Sequence, residues 1–279
     1  MTIKNLNRTY KSLISGPRTA SKFDSTIYFR DIEISESSPI KEFINQRELL
    51  TKILGGEDDS EEWRIKANLV IIGIISGVES YFRSIIRRVL ISDEDSRAHS
   101  YKNKVSYGAV LFHLPHLLPE ALLEDCTFVS KETILKNIKS LLGLPINLQQ
   151  NPALNSVLDE FEKACHLRHC IAHRSGLLGS KNAIELGLDK FSIYLEKPIS
   201  PTLDSVNNLF NICQNLVLEF NDQIFDCIIT RSISKGFWTG DLRRDKKMYS
   251  ILFSIFSPTP QNKDELKKSY YALTKHFDI

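Results

Sequence analysis

The sequence predicts an all-α protein, and two patterns carry that prediction. Apolar residues recur at helical spacing in several long segments, and the segment 60–91 is apolar around most of its circumference near its centre. Helix boundary signals also occur in order, because Asn151 and Pro152 suit a helix start and Gly176 suits a helix end. Consecutive amphipathic helices bury their apolar faces best in a bundle.

The first 59 residues are predicted to be an N-terminal extension. A strand candidate covers 26–34, and a short helix from Ile40 is predicted to end at Gly55 and Gly56. The segment 1–23 is a basic arm without an acidic residue, and its cations are Lys4, Arg8, Lys11, Arg18 and Lys22.

The segment 60–231 is predicted to form the bundle. The centre of its first helix (60–91), the apolar stretch 69–75, should be buried on both sides, with Gly73 and Gly77 lying close to another backbone. A broken helical stretch follows at 105–125, then helices at 131–142 and from Pro152 to Gly176. The alternation in 183–195 predicts a small β-hairpin turning at 187–190, and a second long helix covers 203–233.

The tail 232–279 is predicted to add two short helices, 247–256 and 262–276, packed on the bundle. Trp238 lies between Gly236 and Gly240, and cations including Arg243 and Arg244 flank it. An aromatic ring among cations is suited to stacking on RNA bases and holding phosphate. The alternative is that Trp238 closes the end of the bundle.

Composition excludes several classes of protein. The chain has 279 residues with 36 basic and 34 acidic side chains, so nucleic-acid binding would need a local basic patch. Five cysteines without a CxxC pair predict reduced thiols and a cytoplasmic protein rather than a disulfide framework. The apolar run 69–75 is too short to cross a membrane, and no cofactor-binding motif occurs, so neither membrane nor cofactor is expected.

Three histidines within eight residues form the densest group of side chains able to bind a metal ion or transfer a proton. His166, His169 and His173 fall within about 60° of one another on an ideal helix. Imidazoles in this pattern can bind one metal ion, with Glu162 or Cys170 completing the site, and this would be a metal-dependent hydrolase. The alternative is a helix end rich in His and Arg, which the helix dipole favours.

The pair Arg168 and His173 forms an RxxxxH motif in which a polar residue, His169, follows the arginine. With the phrase Ile75-Ser-Gly-Val-Glu-Ser-Tyr-Phe82 upstream, the segment 60–231 resembles the HEPN superfamily, and most of all its RiboL-PSP and MAE-like ribonuclease groups. The resemblance implies an up-and-down helical bundle. It also implies metal-independent RNA cleavage to 2′,3′-cyclic phosphate and 5′-hydroxyl ends, in a bacterial toxin or antiviral defence setting.

The same resemblance implies roles for individual residues. His173 would act as acid and base, Arg168 would clamp the scissile phosphate, and His169 would orient the site or contact the phosphate. Arg168 and His173 are about 140° apart around an ideal helix. The family solves this by forming a homodimer with a composite cleft, and an antitoxin or defence-system partner is also implied.

Glu79 and Arg83 are the supporting residues of this hypothesis. They lie four apart, so they are able to pair with each other as a simple helix-stabilising contact. In the functional interpretation Glu79 instead pairs with Arg168, because a glutamate in so apolar a helix needs a partner. The main alternative to a nuclease is a non-catalytic HEPN-like dimer that binds RNA or protein.

Overall fold

The computed structural model describes residues 14–16, 21–30 and 37–279, and it confirms an all-α protein. The chain divides into two compact units, Met1–Glu36 and Ser37–Ile279. The larger unit contains the helices α1 Pro39–Leu54, α2 Glu61–Ser92, α3 Glu94–His99, α4 Tyr107–Phe112, α5 Lys131–Leu142, α6 Pro152–Arg174, α7 Ser180–Phe191, α8 Leu203–Ser234, α9 Leu242–Phe256 and α10 Lys263–Phe277. Short 3-10 helices occur at Ser25–Tyr28, Ser100–Lys102, Leu118–Leu123 and Ser192–Tyr194.

In the smaller unit the predicted strand is wrong where the structure describes it. Ser25–Tyr28 is a 3-10 helix, because the Asp24 carboxylate accepts hydrogen bonds from the Thr26 amide (3.0 Å) and hydroxyl (2.7 Å). Such a local side-chain cap competes with extended structure. The rest of that strand candidate and most of the basic arm lie outside the described residues.

Four helices form the core of the larger unit. Helix α1 runs antiparallel to α2, since Glu42 pairs with Arg88 (3.4 Å) near one end of the contact and Leu50 lies against Gly73 near the other. Helix α8 runs parallel to α2, because the Leu203 amide donates to Glu57 just before α2. Farther along the same pair, Tyr81 donates to Asn221 (3.5 Å).

Helix α6 runs antiparallel to α2 and completes the four-helix core. Asn68, near the start of α2, lies 3.7 Å from where a Cβ on Gly176 would sit, just beyond the end of α6. The end of α6 therefore lies near the beginnings of α2 and α8. In the middle of the bundle Phe82 stacks on Phe128 at 5.3 Å and meets the edge of Phe220 at 5.0 Å.

The glycine pair in α2 admits side chains rather than a second backbone. A Cβ on Gly73 would lie 2.9 Å from Leu50 Cδ2, and one on Gly77 would lie 2.9 Å from Gln46 Oε1. The Gln46 amide also donates to the Gly73 carbonyl at 3.4 Å. The predicted contact with another backbone is therefore wrong at its nearest atoms, because side chains of α1 pack against the two glycines.

The prediction that the centre of α2 is buried on both sides is wrong at Leu69, where that centre begins. Ile65 and Leu69 are 53% and 63% exposed, so one aliphatic stripe of this helix is uncovered. By length and composition α2 could cross a membrane, with a mean hydropathy of 1.6 over 18 residues. However, 61% of that window is buried among the other helices, which is the burial of a core helix.

The predicted β-hairpin is also wrong. Residues 180–191 form helix α7, which is interrupted at Gly187 (φ 107°, ψ 93°) and followed by a 3-10 turn. In the described residues the only strand-like feature here is a single bridge between Leu177 and Pro198. The cause is a small apolar cluster that favours helical spacing, built by Cys170, Leu178 and Ala183 with Leu186, Phe191, Leu195 and Ile199.

Candidate functional site

The candidate site lies at the C-terminal end of α6. This helix ends next to Gly176, as the sequence predicts. Pro152 occupies the first turn of the helix, and Ser175 and Gly176 take left-handed conformations with φ of 52° and 82°. The Gly176 amide donates to the Cys170 carbonyl at 3.1 Å, which closes the last turn. This closure keeps Arg168, His169 and His173 in regular helical conformation up to the last turn of α6.

His169 and His173 form the exposed face of this end. They lie one turn apart, and their ring centroids are 4.8 Å apart at an interplanar angle of 50°. Both side chains are exposed. Two adjacent imidazoles are therefore open to a ligand from the solvent side.

Arg168 lies at the edge of this face, where α6 meets α2. Its side chain is half-buried, and its buried Nε has no hydrogen-bond partner among the described residues. Both Arg168 and Glu79 act electrostatically on Cys165, one turn earlier on α6. Burial is the larger influence there, and it raises the pKa of the Cys165 thiol, so this cysteine is not a nucleophile at neutral pH.

The predicted ion pairs of Glu79 are not formed. Among the described residues no cation lies within 4.0 Å of its carboxylate, although Glu79 and Arg168 are both close enough to Cys165 to influence its pKa. Arg83 turns away from Glu79, pairs with Glu120 at 3.4 Å and donates to the Cys126 carbonyl at 3.1 Å. Arg83 therefore anchors the 118–126 segment and does not belong to the site.

His166 turns away from the other two histidines. Its Nδ1 lies 3.3 Å from Asn182 Oδ1, and Asn182 Nδ2 donates to Cys170 Sγ at 3.1 Å. Within the described ranges no three His, Cys, Asp or Glu side chains come together in a group that could hold a metal ion. The three-histidine metal site consequently has no geometric support, because the interface with α7 holds His166.

The site has a positive electrostatic environment. Partial burial lowers the pKa of His169, and the neighbouring His173, Lys181, Arg168 and His166 lower it further. The lowered pKa of His169 favours the neutral form of its imidazole. The charges of Arg168 and Lys181 make this face attractive to a phosphate group.

Trp238, Arg243 and Arg244 do not join this site. Trp238 is only 8% exposed, donates from Nε1 to Ser232 Oγ at 2.7 Å and packs against Tyr249 and Tyr270. It closes the bundle end and is too buried to stack on an RNA base, so that candidate role is wrong.

The loop that contains Trp238 also lies far from the RxxxxH motif. Cys213 of α8 influences the pKa of Cys165 of α6, so these two cysteines lie at about the same height along the bundle axis. Ser232 is 19 residues farther along α8, roughly 28 Å at 1.5 Å per residue. His173 lies on the opposite side of that level, so Arg243 and Arg244 form a separate exposed basic surface.

Sequence reasoning missed three residues of the site. Lys181 and Asn182 were hidden because their segment resembled the approach to a hairpin, whereas α7 brings them beside the motif helix. Asn68 lies next to Gly176, and its buried Oδ1 has no hydrogen-bond partner in the described part of the chain. The polar residue in the apolar stretch 67–72 was the available signal.

Comparison with protein-family models, with curated proteins and with solved structures gives no match to this chain. The chemistry of the site is therefore inferred from its own side chains. These are two adjacent imidazoles, His169 with a lowered pKa and His173, and the guanidinium of Arg168 with an unused donor.

Proposed function

We propose that the chain is a metal-independent endoribonuclease of the HEPN type. The observation that supports this most is the pair of exposed imidazoles, His169 and His173, beside Arg168 in a cationic environment. The antiparallel arrangement of α1, α2 and α6, with the motif at the end of α6, is consistent with a HEPN-type bundle. The bacterial defence or toxin setting rests on the motif resemblance.

The proposed reaction is transesterification at an RNA phosphate. A neutral imidazole takes the proton of the ribose 2′-OH, and the 2′-oxygen attacks the phosphorus. The bond from phosphorus to the 5′-oxygen breaks, and that oxygen takes a proton from an imidazolium. The products are a 2′,3′-cyclic phosphate and a 5′-hydroxyl, and no metal or redox partner is consumed.

Each motif residue has a distinct role in this proposal. His173 is the acid–base residue, as the resemblance of the motif implies, and it is exposed at the helix end. Arg168 clamps the scissile phosphate and stabilises the charge that builds on its oxygens. His169 orients His173 or contacts the phosphate, and its lowered pKa favours the neutral form, which can accept a hydrogen bond.

A homodimer would complete the cleft. Uncovered aliphatic side chains occur on both elements next to the motif end, on α2 (Ile65 and Leu69) and on α7 (Ile184 and Leu188). Exposed apolar side chains beside a polar site are typical of a surface that another subunit covers. A second copy placed there would bring a second Arg168 and His173 towards the first.

The test is incubation of the purified full chain with total RNA in excess EDTA, followed by analysis of the product ends. We expect cleavage that leaves 2′,3′-cyclic phosphates. Such ends resist poly(A) tailing after phosphatase treatment alone, and they accept a tail only when acid has first opened the ring to a monoester that the phosphatase can remove. Cleavage that requires a divalent metal would contradict the mechanism. RNA binding without cleavage would instead favour the non-catalytic HEPN-like module.

Glu79→Gln is expected to lower RNA cleavage by about tenfold, the order of effect that misplacing a catalytic group produces. Glu79 is a positioning residue here, because its negative charge and the positive charge of the Arg168 guanidinium both act at Cys165, which places the two side chains near each other between α2 and α6. The matched control is Glu162→Gln, which removes a charge from α6 that also acts on Cys165. Single-turnover rates and thermal unfolding are measured together, and equal rates in both variants would remove the positioning role.

A further inference from the structure

A cavity lies between α8, α9 and α10, away from the motif helix α6. Its volume is about 440 Å³, within the range of small-molecule sites. Most of its wall is apolar, and five aromatic side chains contribute, namely Phe225, Tyr249, Phe253, Phe256 and Phe277. The hydroxyl of Tyr249 already has a hydrogen-bond partner, because it donates to Ser269 Oγ at 2.7 Å.

The polar part of the wall is acidic. Asp222 and Asp226 are one turn apart on α8, and both line the cavity. Neither carboxylate forms an ion pair within the described residues, whereas acidic side chains elsewhere on this unit, such as Asp93 and Asp95, are paired with cations. Both side chains are exposed at the rim. The apolar wall raises the pKa of Asp222, against a hydrogen bond from Asn221 that lowers it.

We propose that this cavity binds an organic cation, an ammonium group carried on an aliphatic or aromatic body. The aromatic wall would hold the body, and the rings would also favour the positive charge through their faces. Asp222 and Asp226 would supply the counter-charge at the rim. This site is separate from the proposed nuclease site and does not depend on it.

The charge of the wall selects among ligands. Asp222 and Asp226 are the two acidic side chains of the lining, and their carboxylates place negative charge at the rim. An anionic ligand would be repelled, and a neutral one would gain only the apolar contact. A cation of similar size should therefore bind most tightly.

The structure provides a reporter for this test. The chain has two tryptophans, and Trp238 meets the edge of Tyr249 with ring centroids 6.0 Å apart. Trp63→Phe removes the other tryptophan, which is not part of the cavity wall. The fluorescence of Trp238 in this full-length variant then reports on the environment behind the cavity.

The experiment titrates this variant at pH 8 with 4-phenylbutylammonium, 4-phenylbutan-1-ol and 4-phenylbutyrate. We expect the ammonium ion to bind about tenfold more tightly than the alcohol, with the carboxylate weaker than both. Asp222→Asn combined with Asp226→Asn should bring the ammonium ion to the affinity of the alcohol. The control, Glu219→Gln, removes an exposed charge from the same helix outside the cavity and should change nothing.

Ala272→Phe, which places a large side chain in the cavity wall, should weaken the ammonium ion and the alcohol alike. Circular dichroism establishes that each variant is folded. Equal affinity for the three probes would overturn the proposal, as would full ammonium affinity in the double Asp variant. The absence of any saturable fluorescence or calorimetric signal with the ammonium ion would also overturn it.

Discussion

His173→Ala is expected to lower RNA cleavage by about 10²–10⁴-fold, the usual contribution of a general acid–base residue. His173 is exposed at the end of α6, where its ring lies beside that of His169, so its removal leaves the core untouched. RNA affinity and thermal unfolding should therefore change little. The measurement is the single-turnover rate on a labelled RNA in EDTA.

His166→Ala is the informative control for this variant, because it removes a neighbouring histidine of the same helix. The ring of His166 is directed at Asn182 rather than at the exposed face, so the variant should keep cleavage within a few-fold of wild type. A metal centre on the three histidines would make the two variants equally damaging. Full activity of His173→Ala would remove the acid–base assignment altogether.

The helices were predictable because their signals are local. The apolar spacing of 154–165 and the residues Asn151, Pro152 and Gly176 predict α6, and the structure has the helix at Pro152–Arg174. The long helices and the 131–142 helix follow the same logic. Helix caps and periodicity depend on neighbours within a few residues, which the sequence contains in full.

The predictions that failed concern residues whose conformation and partners are set by tertiary contacts. Gly187 indicated a hairpin turn, but the packing of Ala183 and Leu186 on the end of α6 favours a helix that tolerates a kink there. Arg83 stands at the right spacing to pair with Glu79, yet Glu120 from a distant segment binds it instead. Such competition between a local and a distant partner leaves no trace in helical periodicity.

The site was predicted in part for the same reason. His169 and His173 were expected on one face, and their separation of one helical turn brings their rings together. The position of Lys181 depends on the fold of α7 and could not be read from the motif. The burial of Trp238 depends on Asp245 and Tyr270, which organise the loop from another part of the chain.

Asp245→Asn is expected to destabilise the folded chain by about 2–4 kcal/mol at pH 7, because charged hydrogen bonds of a buried acceptor are lost. Asp245 is 4% exposed and accepts from the Tyr270 hydroxyl at 2.6 Å, and from the Thr239 amide and hydroxyl at 3.0 and 2.9 Å. The Gly240 amide also donates to it at 3.2 Å. These bonds fix the loop that holds Trp238 against the bundle.

The pH dependence of this loss separates the carboxylate charge from simple packing. Burial alone would raise the pKa of Asp245, but the hydrogen bonds from Tyr270, Thr239 and Gly240 outweigh it and lower the pKa below its ordinary value of 3.8. The stabilisation is therefore complete above that ordinary value and is lost as the pH falls through the lowered folded-state pKa. Urea unfolding of wild type and Asp245→Asn should converge over that interval, whereas exposed Asp189→Asn should match wild type at pH 7. A difference that stays constant down to pH 2 would mean that shape, rather than charge, holds the loop.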